Sequence, residues 1–132
     1  YWKSGPKSFL GLLVPNFPNL FIVSGPGSPS VLTNVPVQIE QHVEWITKCI
    51  KFLENNKRQS IESTNVAANK WQKEIMNSVK KTLFMKAKSS WYKGDNIPGK
   101  SKSFLPYPGG MPKYRKACLK VEKTNYKELK II

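Results

Sequence analysis

Apolar and polar positions along the chain divide it into two short apolar runs, Leu10 to Val14 and Leu20 to Val23, and three stretches of helical period. The run Leu20-Phe21-Ile22-Val23 has the length and β-branched content of a buried strand covered on both faces. It is launched by the turn Phe17-Pro18-Asn19 and followed by the loop Gly25-Pro26-Gly27-Ser28-Pro29-Ser30. A helix is predicted to begin near Asn34 to Pro36, with Thr33 or Asn34 as cap and Pro36 in its first turn. Ile39, Val43, Ile46, Ile50 and Leu53 repeat at helical spacing, and Trp45, Cys49 and Phe52 widen that face. So broad a stripe implies packing on more than one side.

The polar connection 55–63 separates this helix from a second, predicted over about Thr64 to Phe84. Trp71, Ile75, Val79 and Leu83 share one of its faces. Residues 85–102 form a long irregular segment containing Trp91-Tyr92, Gly94, Pro98 and Gly99. Long loops in small domains are often functional lids, and an indole can bond a sugar hydroxyl or stack on a ring. A plain anchoring role for Trp91 is the other reading. The segment 103–110 reads as a short extended piece broken by prolines. A third helix opens around Met111-Pro112 with Tyr114, Ala117, Cys118 and Val121 inward, and the polar NYKELKII ends the chain. A strand, a ligand-facing loop and about three helices make this an α/β arrangement.

Charge changes the picture less than its size suggests. The formal net charge is +14 from 22 Lys and Arg against 8 Asp and Glu, yet only Arg58 and Arg115 are arginines. The cations are scattered, with no basic run interleaved with aromatics, whereas phosphate and base readers lean on the bidentate guanidinium. A solvated surface is the reading, with a basic polyanion-binding module as the alternative. No run approaches the roughly 20 apolar residues of a membrane span. Cys49 and Cys118 lie far apart without a CxxC pattern and are expected as buried free thiols, which fits a reducing, cytoplasmic setting. Hydrophobic residues make up 39% of the 132, so a core is possible but not generous.

The candidate chemistry lies in the loop and the helix start. GPGSPS has the form GxGxxS and differs from the dinucleotide fingerprint GxGxxG at its last position. Pro26 and Pro29 also remove amide donors that a phosphate cradle needs, so the fingerprint is rejected. No acid precedes Glu40 on the helix, so its positive end near Asn34 and Val35 is free to meet partial negative charge. His42 is expected at the surface or in an ordinary hydrogen bond. No second histidine supports a metal site, and no nucleophile has a candidate base.

The strings GPGSPSVLTNVPVQIEQHVEWI, SSWYKGDNIPGK and FLPYPGG, the helix at Tyr114-Arg115 and the opening WKSGPKSFLG together resemble the C-terminal part of Baeyer–Villiger flavin monooxygenases. The resemblance covers almost the whole chain in conserved order. It implies the C-terminal fragment of a flavoprotein with two dinucleotide-binding domains. Residues 1–57 would end the FAD-binding domain, and residues 58–132 would form a helical segment carrying an NADP-side mobile loop at 85–102. It further implies FAD, NADPH and O2, with oxygen inserted beside a ketone to give an ester or lactone. Ser30, Val31 and Leu32 would line the substrate side of the flavin, Asn34 and Val35 its pyrimidine edge, and Trp91 would bond the NADP ribose. Val31, Val35 and Asp95 depart from the residues usual at their positions. The family's GxGxxG motifs and catalytic arginine match nothing in these 132 residues, and Arg58 and Arg115 lie outside that arginine's motif. No catalytic residue is therefore assigned, and the chain is expected to need the upstream part of the same polypeptide. A non-enzymatic truncated remnant is the alternative.

Overall fold

Residues 9–14 lie at the centre of the core, with Leu10, Leu12 and Leu13 at most 1% exposed. They fold as a tight reversal in which the Phe9 amide donates to the Leu13 carbonyl and the Leu13 amide to that of Phe9. Leu13 also bridges to Phe21. The computed structural model describes residues 2–87, 90–95, 98–99, 101 and 103–132. Three helices surround the core: α1 (Val35–Asn55), α2 (Asn65–Val79) and α3 (Met111–Lys123). Short 3₁₀ turns lie at Ser30–Leu32, Leu83–Lys86 and Trp91–Lys93.

Local chemistry accounts for the helix ends. Asn34 caps α1, its side chain accepting from the Val37 amide, and Pro36 occupies the first turn as expected. Thr64 caps α2 in the same way through the Ala67 amide. The α2 helix stops at Val79, short of the predicted Phe84, where Thr82 starts a separate turn by accepting from the Phe84 amide. Leu83 is consequently 75% exposed rather than on the inward stripe. On α3, Tyr114, Cys118 and Val121 are buried as expected, while Ala117 is half-buried.

The β-structure is not where the apolar run predicts it. A two-stranded antiparallel sheet pairs β1 (Ile61–Ser63) with β2 (Leu129–Ile131), joining the polar connection to the polar tail. Glu62 opposes Lys130 in register, and the pair forms an ion pair of 2.7 Å. Asn19 secures the other edge of β1, exchanging backbone and side-chain bonds with Ile61 and Gln59. The predicted buried strand at 20–23 contributes one isolated bridge at Phe21, and Leu20 and Val23 are more than 40% exposed. Left-handed backbone at Asn19 (φ 60°) and Ser24 (φ 58°) cuts the extended stretch short at both ends. Among the described residues its cross-chain backbone partners come from the Leu12–Leu13 side, while the Leu20 amide closes the local turn to Phe17.

The broad face of α1 is covered on one side. Gln38, His42, Trp45, Cys49 and Leu53 are buried, whereas Ile39, Val43 and Ile50 are 39–50% exposed and Ile46 is half-buried. Of the main predicted stripe only Leu53 is buried; of the widening residues Trp45 meets α3, its indole donating to the Cys118 carbonyl at 3.2 Å. Both cysteines are free and buried, and burial pushes each thiol up to about 12.

Candidate functional site

The loop 24–30 is the most heavily fastened segment of the chain. The Ser24 amide donates to His42 Nδ1 at 3.1 Å, and the Gly25 amide to the Gly11 carbonyl at 3.2 Å. The Pro26 carbonyl accepts from the Ser8 hydroxyl, which itself accepts from the Gly11 amide. The Gly27 carbonyl takes the Trp71 indole proton at 2.9 Å, while its amide donates to Leu105 at 2.6 Å. The Ser28 carbonyl accepts from the Tyr107 amide at 2.7 Å. Contact with the core is so close that a Cβ on Gly11, where φ is +73°, would stand 2.5 Å from the Ser28 nitrogen.

This geometry bears on the rejected phosphate fingerprint. The amides of Ser24, Gly25, Gly27 and Ser28 are all spent inside the protein, and Pro26 and Pro29 have none. A phosphate cradle needs such groups free and convergent. The loop instead acts as a rigid mount for the turn Ser30–Leu32, where Ser30 itself is left-handed (φ 49°). From that mount Val31 projects with half its surface exposed, Ser30 and Leu32 are half-buried, and Asn34 and Val35 follow in the open.

The first turn of α1 carries no acidic residue, so the outward-facing helix end stays positive. Asn34 uses its side-chain oxygen on Val37. The backbone around Asn34 and Val35 is thereby the part of the helix start left to address a partner.

A cavity of about 200 Å³ is lined by Ser24, Gly25, Pro26, Ser30, Trp91, Leu105 and Pro106. It brings together Ser30 and Trp91, residues 61 positions apart in the chain. Among the described residues no lining side chain is ionisable, so those residues can shape and orient but offer no acid or base. Trp91 is 49% exposed with its ring 4.2 Å from that of Tyr92, which packs on Phe84 and Phe104. The indole is therefore seated from one side and open on the other.

Asp95, four residues beyond Trp91, does not present a free carboxylate. It accepts from the Ser90 amide at 2.7 Å and pairs with Lys93 at 3.0 Å. The Ser90 hydrogen bond and then Lys93 hold its carboxyl below the usual range. Several residues of the predicted lid, at positions 88, 89, 96, 97, 100 and 102, lie outside the described residues.

His42 takes the hydrogen-bonded of its two expected places and is not at the surface. It is fully buried and bonded at both ring nitrogens, to Ser24 and to the Tyr114 hydroxyl at 2.7 Å. Burial lowers it to about 4. Sequence reasoning left its burial open because a histidine flanked by Gln41 and Val43 carries no sign of which helix face is covered. Its spacing of four from Gln38 and three from Trp45 was the available signal.

No family model matches the chain. Among curated proteins, it is 45% identical over 115 residues to a cyclohexanone 1,2-monooxygenase of Acinetobacter sp, covering 87% of this chain and 21% of that one. It is 40% identical over 128 residues to a Baeyer–Villiger monooxygenase of Pseudooceanicola batsensis, covering 97% and 23%. Among solved structures it superposes on a closed form of cyclohexanone monooxygenase with a TM-score of 0.92 and 40% identity, covering 99% of this chain and 24% of that one. With OTEMO in complex with FAD and NADP the TM-score is 0.87 at 30% identity, again covering 99% and 24%. The chain spans about a fifth to a quarter of the length of the relatives it matches. By sequence and by fold, the chain is similar to a segment of the longer chains of Baeyer–Villiger monooxygenases.

Proposed function

We propose that the chain works as part of an FAD- and NADPH-dependent monooxygenase that inserts one oxygen atom of O2 beside the carbonyl of a ketone, giving an ester or lactone. The observation that carries this is the shared cavity of Ser30 and Trp91, set beside the open, acid-free start of α1. The exposed Val31 and Val35 and the outward helix end fit one edge of a flat, electron-rich ring. The half-open indole fits one side of a nicotinamide dinucleotide. The two cofactors, when bound, supply the redox and oxygen-transfer chemistry.

The chain's own residues bind, orient and shield. Ser30, Val31 and Leu32 form the ketone-facing wall. The backbone of Asn34 and Val35 meets the flavin's pyrimidine edge, where the helix end favours accumulating negative charge. Trp91 donates its N–H to the NADP ribose and closes the pocket against water. Asp95, already neutralised by Lys93 and the Ser90 amide, leaves that side acceptable to phosphates. Residues 1–57 complete the FAD-binding domain, and 58–132 supply the NADP-side helical segment and lid. The uncovered side of α1, at Ile39, Val43 and Ile50, packs on the upstream part of the same polypeptide. The catalytic arginine comes from that part too. A cytoplasmic location belongs to the same reading; among the described residues no helix is long and apolar enough to cross a membrane.

The test uses the full-length polypeptide. Bound FAD in its absorbance spectrum, and NADPH oxidation stimulated by a ketone with ester or lactone formed, are expected. Trp91→Ala should weaken NADP binding by about tenfold, one lost hydrogen bond with its ring contact, and leave FAD content unchanged. A purified protein without flavin, or NADPH oxidation indifferent to ketones, would refute the proposal.

A further inference from the structure

His42 is the chain's single histidine, and its ring is held at both nitrogens by groups whose roles are fixed. A backbone amide can only donate, so Nδ1 must accept the Ser24 N–H as an unprotonated nitrogen. At the other end the Tyr114 hydroxyl donates its one proton to the Leu10 carbonyl at 2.6 Å. The phenol oxygen, 2.7 Å from Nε2, is then the acceptor, and Nε2 carries the proton. The tautomer follows from the amide at one end and the carbonyl at the other.

The result is a single directed relay, from Ser24 N–H to His42, to Tyr114, to the Leu10 carbonyl. It crosses four parts of the fold: the loop 24–30, α1, α3 and the core reversal at 9–14. Bonds aligned head to tail in a buried setting polarise one another. One turn earlier on α1, Gln38 adds a 2.7 Å bond from its Nε2 to the Ser24 hydroxyl. Ser24 holds a left-handed backbone that a serine adopts only when its surroundings require it.

We infer that His42 is a positioning residue: its neutral, Nε2-protonated ring, set between the Ser24 amide and the Tyr114 hydroxyl, fixes the loop that carries Ser30, Val31 and Leu32. The ketone-facing role of that wall rests on the function proposed above; the fixing of the loop rests on the geometry alone. The ring can gain a proton only at Nδ1, which would set one N–H against another and release Ser24. Nothing nearby invites that proton. Residues 8–14 and 24–30 contain no ionisable side chain. From α3 come Tyr114 and, one turn on, Cys118, both held neutral by burial. On α1 itself Glu40 and Glu44 are exposed to solvent.

The experiment uses the full-length, flavin-loaded protein with ¹⁵N-labelled histidine. Ring spectra at neutral pH should show a neutral, Nε2-protonated His42. The Ser24 amide should exchange with solvent at least about tenfold faster in His42→Phe, the loss of one hydrogen bond to a buried group. His42→Gln, which keeps an acceptor and a donor, should restore much of the protection, and amides of α1 beyond Cys49 should not change. The ratio of kcat/KM between a small and a bulky ketone should shift by about threefold or more in His42→Phe, with FAD content kept. A charged or Nδ1-protonated ring in the unmodified protein overturns the inference whether or not the variants fold. So does unchanged Ser24 exchange, or an unchanged ketone ratio in an active His42→Phe protein. A protein showing the expected ring and exchange but no ketone oxidation at all would support the loop lock and sink the monooxygenase reading instead.

Discussion

Replacing Trp71 by phenylalanine should unfasten the candidate wall from behind. The indole is 6% exposed, lies stacked on Tyr107 with ring centroids 4.9 Å apart, and donates to the Gly27 carbonyl at 2.9 Å. Phenylalanine keeps an aromatic ring there but removes the donor, leaving a buried carbonyl unpaired at about 1–3 kcal/mol. The missing ring atoms leave a void beside Gly27 and Tyr107 that adds about 1 kcal/mol. The two terms sum to roughly 3 kcal/mol, which is more than a hundredfold in a local opening equilibrium. The assay is amide hydrogen exchange on the full-length protein, read at Gly27 and at Tyr107, whose amides bond Leu105 and Ser28 across the loop. Val66→Ala, on the same helix but 78% exposed, is the control and should leave those amides alone. Exchange accelerated by less than about threefold in a folded Trp71→Phe protein would show that the indole does not hold the loop.

Other consequences are as direct. His42 falls from an ordinary value of 6.5 to about 4 on folding, so between those pH values the unfolded chain binds the extra proton. Its stabilising contribution is complete above pH 6.5 and is lost as pH falls toward 4, by about 3 kcal/mol; the unfolding midpoint of His42→Gln should depend less steeply on pH in that window, and an unchanged dependence would refute the assignment. Cys49 and Cys118 are buried with thiols near 12, so a disulfide reagent at pH 8 should modify them only after denaturant is added. Fast labelling of both in native protein would contradict the burial. Expressed by itself, the 132-residue chain should bind a hydrophobic dye through Ile39, Val43 and Ile50, and Ile39→Lys with Val43→Lys should abolish most of that signal. Undiminished dye binding would place the sticky surface elsewhere.

The helices and the loop were legible in the sequence because their signals are local. A cap at Asn34, a proline in the first turn and prolines in GPGSPS act within a few residues, and the structure keeps each of them. The sheet was not legible for the opposite reason. Glu62 and Lys130 read as polar because each is, and their meaning as a cross-strand pair exists only once the two ends of the segment 58–132 come together. The run 20–23 reads as a strand on content alone, but strands need neighbours, and among the described residues only 12 and 13 pair with it across the chain. Leu10, Leu12 and Leu13 became the centre of the core with no periodic pattern to mark them.

Helix α1 shows why the candidate site was only half readable. Its apolar residues occupy an arc too wide for one neighbour, and periodicity reports the arc without saying which part is covered by what. The structure gives the Trp45, Cys49 and Leu53 side to this chain's own core and leaves Ile39, Val43 and Ile50 open. At the covered side's upper end stand Gln38 and His42, polar residues that a hydrophobic pattern counts as breaks. They are buried because the loop beside them offers groups an apolar side chain could not satisfy: the Ser24 amide and hydroxyl and, through Tyr114, the Leu10 carbonyl. The same helix therefore fastens the loop through its polar end, packs the core through its middle, and keeps an apolar flank beside Val31 and Val35. A loop held this firmly, next to an apolar flank left this open, is what the proposed ketone-facing wall requires.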